Sequence, residues 1–143
     1  MKISYLDGFT EELIKFTAQN KGDSWKVEAS WFSLKKDGRV PSAVFKLPRD
    51  LKKTDELMQN LVALNESYEL TIDDLSSHNV TFTLEGKKYS RSFNGLGNFL
   101  YKEFPELKGK INYLVEVCDE IREEIKKYSN QTSVVDAKDA QHN

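Results

Sequence analysis

Apolar positions along this chain recur at two different spacings, and the changes of spacing divide it into elements. Leu6, Phe9, Leu13 and Phe16 repeat at helical intervals, with Ile14 widening the stripe. They predict a first helix from about Thr10 to just before Gly22. Trp25, Val27, Ala29 and Trp31 then alternate with Lys26, Glu28 and Ser30, the period of a half-buried strand. After Lys36-Asp37-Gly38 the alternation resumes, with Ala43, Phe45 and Leu47 on one face. A three-residue loop at Lys36–Gly38 pairs Trp31 with Ala43, Ala29 with Phe45 and Val27 with Leu47. A two-residue loop would send the two apolar sets to opposite faces, so the odd loop is expected.

Pro48 closes that strand, and Thr54-Asp55-Glu56 predicts a helix start with acids at the positive end of its dipole. Leu57, Met58, Leu61, Val62 and Leu64 form its expected buried stripe. Tyr68, Leu70 and Ile72 predict a strand, and a second hairpin follows with Val80, Phe82 and Leu84 in its first arm. A turn at Gly86-Lys87 pairs Leu84 with Tyr89, Phe82 with Arg91 and Val80 with Phe93. Asn94-Gly95-Leu96-Gly97 opens a short helix interrupted by Pro105.

A long amphipathic helix from Leu107 to Tyr128 completes the pattern. Its seam of Ile111, Leu114, Cys118, Ile121, Ile125 and Tyr128 has the a/d spacing of a coiled coil. The polar stretch after Ser129 predicts a disordered tail. The expected organisation is one α+β domain over residues 1–129 and a tail over 130–143. The domain should have an antiparallel sheet of about five strands, two hairpins and helices packed on one face.

Composition narrows the class. The chain has 143 residues, 38% of them hydrophobic, enough to bury roughly two-thirds of the extended-chain surface without a disulfide or metal. It holds one cysteine, so no internal disulfide framework is expected, and no apolar run approaches the ~20 residues of a spanning helix. Asp7 follows closely on Met1, and no apolar core typical of a secretory signal is present, so a cytoplasmic location is expected.

The net charge of −2 conceals blocks. Residues 1–34 carry −1, residues 35–53 carry +5, residues 54–86 carry −7 with no Lys or Arg, and the remainder carries +1. Such a split gives faces of opposite potential wherever folding does not interleave the blocks.

The residues that carry chemistry are few. Two histidines and one cysteine, unclustered, do not form a zinc motif, and Asp73-Asp74 lacks calcium-loop spacing, so neither a metal nor a cofactor is predicted. Cys118 on the seam reads as an inert buried thiol, and no motif ties it to His78 or His142. Arg91 falls on an apolar strand face, where it must pair with a helix carboxylate or bind an anion.

The leading expectation is therefore a non-catalytic protein-binding module: a small inhibitor, immunity protein or chaperone-like adaptor. It would meet a partner with a basic surface through Glu66, Glu69, Asp73 and Asp74. One alternative is a binder of a small anionic or nucleotide-like ligand through Arg91 and the amides of Gly95 and Gly97, although the loop lacks a third glycine. The other is nucleic-acid binding by the basic hairpin 35–53, with Phe32 and Phe45 beside its lysines. Only four of 21 basic residues are arginine, which disfavours that reading. The regular seam also predicts an antiparallel homodimer through the last helix.

Overall fold

A computed structural model describes residues 1–6, 12–33, 41–70, 76–95 and 98–142. Among them, seven strands form one sheet with the order β4-β3-β2-β1-β6-β7-β5. The strands are β1 (Lys2–Leu6), β2 (Glu12–Lys21), β3 (Ser24–Ser33), β4 (Ser42–Pro48), β5 (Ser67–Tyr68), β6 (Ser77–Leu84) and β7 (Lys87–Asn94). Three helices, α1 (Leu51–Val62), α2 (Asn98–Glu103) and α3 (Asn112–His142), complete the α+β domain. All pairings are antiparallel except β5 with β7, so the sheet is mixed and larger than the five antiparallel strands predicted.

The two additional strands, β1 and β2, come from the N-terminal segment. Residues 12–21 form β2, in place of the predicted helix. Phe16 and Ala18 are buried, Ile14 is half-buried, and Lys15 and Gln19 are exposed. That period-two pattern overlaps the helical spacing of Leu6, Phe9, Leu13 and Phe16. Pairing decides between them, because β2 bonds to β1 on one side and to β3 on the other. The start of the predicted helix, at Thr10, lies outside the described residues. The predicted strand at Tyr68–Ile72 is reduced to the two residues of β5, and Ile72 lies outside the described residues.

Both hairpins keep the predicted faces but shift register by two residues. Ala29 pairs with Ala43, Val27 with Phe45 and Trp25 with Leu47, around a connection longer than Lys36–Gly38. In the second hairpin Phe82 pairs with Tyr89, Val80 with Arg91 and His78 with Phe93. The turn there is Glu85-Gly86, with φ of 52° and 80°. Positive φ at both positions is the type I′ geometry that matches the twist of paired strands. The predicted Gly86-Lys87 turn would have put lysine, not glycine, at its second position.

Helix α1 starts at Leu51, earlier than Thr54, because Asp50 caps it by accepting a hydrogen bond from the Lys53 amide at 2.9 Å. Thr54, Leu57 and Leu61 face inward. The Asp50 amide donates to the Tyr113 hydroxyl and Asn60 Nδ2 donates to the Lys110 carbonyl, tying α1 alongside α3. Pro105 opens a 3₁₀ turn that leads into α3. The backbone of α3 stays helical to His142, through the segment that composition marks as a tail.

All the helices lie over one face of the sheet. Ile3, Tyr5, Phe16, Ala18, Val27, Val80, Phe82 and Phe93 on that face join Leu57, Leu61, Leu100, Leu107 and the inner side of α3 in one core. The other face is open, and among the residues whose side chains are described Leu6 and Val44 are its exposed large apolar positions. Since β1 is the middle strand, the stability of the whole sheet runs through its inward residues. Ile3→Ala is expected to cost about 2–5 kcal/mol in chemical denaturation, whereas Leu6→Ala on the open face costs less than about 0.5 kcal/mol.

Candidate functional site

Helix α3 carries two stripes with opposite tasks. The inner one, Leu114, Cys118, Ile121 and Ile125, together with Ile111 just before the helix, is 0–2% exposed within the single chain. Tyr128 extends it by stacking on Phe45 of β4, with ring centroids 5.4 Å apart. The seam therefore packs on the chain's own sheet, and within the single chain it presents no exposed apolar stripe to a second copy. Coiled-coil spacing and sheet-covering spacing differ little over four turns, and Val117, also buried, gives the wider stripe that a sheet demands.

The outer stripe consists of Glu116, Asp119, Glu120, Glu123 and Glu124, at positions i, i+3, i+4, i+7 and i+8. With Asn112 and Lys127 they line an open groove of about 720 Å³, whose apolar contributors are Leu47, Tyr101 and Val115. Lys53 of α1 reaches Glu116 at 3.3 Å, Lys126 reaches Glu123 at 3.1 Å, and Lys127 reaches Glu124 at 3.3 Å. Asp119 and Glu120 have no cationic partner within 4 Å among the described residues. Exposed pairs of this kind are worth about 0–1 kcal/mol, so incoming cations exchange with the resident lysines at small cost.

The residues expected to bind a partner lie elsewhere. Glu66 and Glu69 are exposed beside β5, at the sheet edge opposite β4, whose Leu47 lines the groove. Asp73 and Asp74 lie outside the described residues. Glu66 and Glu69 thus lie on a different surface from the acidic groove. The i, i+3, i+4 spacing of the groove acids is legible in the sequence, but an acidic flank on an amphipathic helix looks like ordinary solvation.

Arg91 is engaged inside the fold. Only 8% exposed, it donates from Nε to the Leu61 carbonyl at 2.8 Å, from Nη2 to the Val62 carbonyl at 3.4 Å and from Nη1 to the Ser90 carbonyl at 2.8 Å. Two of its three partners are the last carbonyls of α1, the negative end of that helix, the third is the neighbouring carbonyl on β7, and none is a carboxylate. The Gly95 amide donates to the Ser76 carbonyl at 2.7 Å, and Gly97 lies outside the described residues. Arg91 and the Gly95 amide are therefore both occupied, and the anion site predicted on them is not formed there.

The basic block is dispersed. Arg49 donates to the Gly22 carbonyl and covers the Trp25 ring, and Lys53 pairs with Glu116. Phe45 is buried, so it offers no stacking surface to a base, and Lys35, Lys36 and Arg39 lie outside the described residues. The open face of the sheet instead collects Lys2, Lys15, Lys21, Lys26, Lys46 and Lys88 against the single acid Glu28 among its described positions.

Cys118 and His78 are both buried. Burial pushes the Cys118 thiol up to about 12, leaving it a protonated, unreactive group at neutral pH. Burial first, and then the charge of Arg122, lower His78 to about 4. Among the described residues no group of three or more His, Cys, Asp or Glu is placed to hold a metal, and no helix is long and apolar enough to cross a membrane.

Comparison with known proteins finds no matching family model, no matching curated protein and no matching solved structure.

The buried histidine makes stability depend on pH. The native imidazole takes its proton near pH 4, whereas the unfolded one takes it near 6.5. Its contribution is full above pH 6.5 and is lost as the pH falls towards 4, with a ceiling on the order of 3 kcal/mol. Urea denaturation between pH 7 and 4.5 should show that loss in the wild type, and His78→Gln should flatten it.

Proposed function

We propose that this chain is a non-catalytic protein-binding module, and that the acidic groove on α3 receives a basic, amphipathic segment of a partner protein. The observation that carries this reading is the pairing of apolar residues, Leu47, Tyr101 and Val115, with five acids in one open groove. Apolar contact supplies affinity, and the acids select a partner of opposite charge and speed its approach. The inner stripe of α3 is already committed to the core, so binding there leaves the fold undisturbed. Inhibitors, immunity proteins and chaperone-like adaptors of this size would act in this way, by occupying a partner's basic surface.

The reading is tested with synthetic amphipathic helical peptides, one carrying Lys and Leu and its counterpart carrying Glu and Leu. The Lys/Leu peptide should bind saturably, more weakly as salt rises, and the Glu/Leu peptide should not bind. Glu120→Lys with Glu123→Lys should weaken binding at least tenfold while Tm holds. Glu66→Lys with Glu69→Lys, at the opposite sheet edge, should leave it unchanged. Equal affinity in the groove-reversed variant would remove the groove from the interface.

A further inference from the structure

Three side chains from three elements meet beneath the sheet at the end where β1 finishes and β6 begins. The guanidinium carbon of Arg122, on α3, lies 5.8 Å from the centroid of the Tyr5 ring. The ring of His78, on β6, meets the same tyrosine edge-on at 4.8 Å, and Phe16 stacks on it at 4.8 Å. Tyr5 thus forms a common wall for a cation and an imidazole. Its hydroxyl stands 3.5 Å from Oγ of Ser76, which is half-buried.

Both nitrogen-bearing groups here are short of partners. His78 is 5% exposed, and its Nδ1 is buried without a hydrogen bond. Nε of Arg122 is buried in the same condition, and among the described residues no carboxylate pairs with this guanidinium. Asp119, three residues earlier and within helical reach, lines the outer groove instead. An unmet buried donor costs about 1–3 kcal/mol, and a cation–π contact leaves the N–H groups unsatisfied. Two such atoms around one ring ask for a guest with acceptor oxygens.

We propose that Arg122, His78 and Ser76 form a binding site for one oxyanion group, a carboxylate or a phosphate. The guanidinium offers a planar pair of N–H donors, the imidazole offers Nδ1–H in one tautomer, and the serine hydroxyl offers a third direction. The imidazole is neutral at pH 7, so the site presents the single positive charge of Arg122. This site is separate from the acidic groove, does not rest on the protein-binding reading, and replaces the anion site that Arg91 and Gly95 do not form.

The test follows the imidazole NMR signals of His78 in the full chain, assigned through His78→Gln, with His142 as the internal comparison. Sodium acetate and sodium phosphate are titrated separately at constant ionic strength, with chloride as the control. A saturable shift at His78 with acetate alone identifies a carboxylate guest, and one with phosphate alone identifies a phosphate guest. Chloride should leave the signal in place. Arg122→Gln should weaken the response at least tenfold with Tm maintained, and Arg122→Lys should fall between. No saturable shift with either anion in the wild type would overturn the proposal and assign both nitrogens to water. An undiminished response in folded Arg122→Gln would overturn it equally, and the wild-type titration decides the matter should that variant fail to fold.

Discussion

The fold depends on one contact, the packing of α3 across the inward face of a seven-stranded sheet. That face presents Ile3, Tyr5, Phe16, Val27 and Val80, and a sheet with such a face is not stable in water until something covers it. Helix α3 and the residue before it supply Ile111, Leu114, Val117, Cys118, Ile121 and Ile125, all nearly inaccessible to solvent. At about 25 cal/mol per Å² of apolar area, burying side chains of this size contributes roughly 1.5–3 kcal/mol each before entropy is counted. The ion pair from Lys53 to Glu116 and the bond from Asp50 to Tyr113 position α1 beside α3 but contribute far less.

Because the inner stripe of α3 is committed, the surfaces that the helix and sheet still present to solvent include its outer stripe and the open face of the sheet. The two carry opposite charge: five acids on the helix, and six lysines against Glu28 on the strands, among the described residues. The linear blocks of the sequence do not produce this division. Lys46 of the basic block goes to the open sheet, Arg49 and Lys53 are drawn into local contacts, and the acids of α3 come from a segment close to neutral overall. Arg91 shows the same principle inside the core. A cation on an apolar face is stable there because the carbonyls ending α1 point at it.

What could be read from the sequence follows from which signals are local. The alternation in β3, β4, β6 and β7, the inward stripe of α1 and the seam of α3 are local periodicities, and each lies on the face expected. Strand β2 was not legible, because Leu13 and Phe16 fit a helix while Ile14, Phe16 and Ala18 fit a strand, and only pairing with β1 and β3 decides. Both registers slip by two, since alternation tolerates any even shift and Glu85 gives no sign that it adopts positive φ. Arg91 was legible as an anomaly but its partners were not, because they depend on where α1 ends in space. The groove acids and the Tyr5–His78–Arg122 cluster depend on the same long-range placement.

Hydrogen exchange on the backbone amides of α3 tests the central claim most directly. Amides of residues 114–125 should exchange only with global unfolding, at the same free energy as the amides of β1 in the middle of the sheet. Equal protection, falling in parallel with added denaturant, is the result expected of a helix that is half of the core. An α3 that exchanges freely while β1 stays protected would contradict the account, because its inner stripe would then be free for a partner.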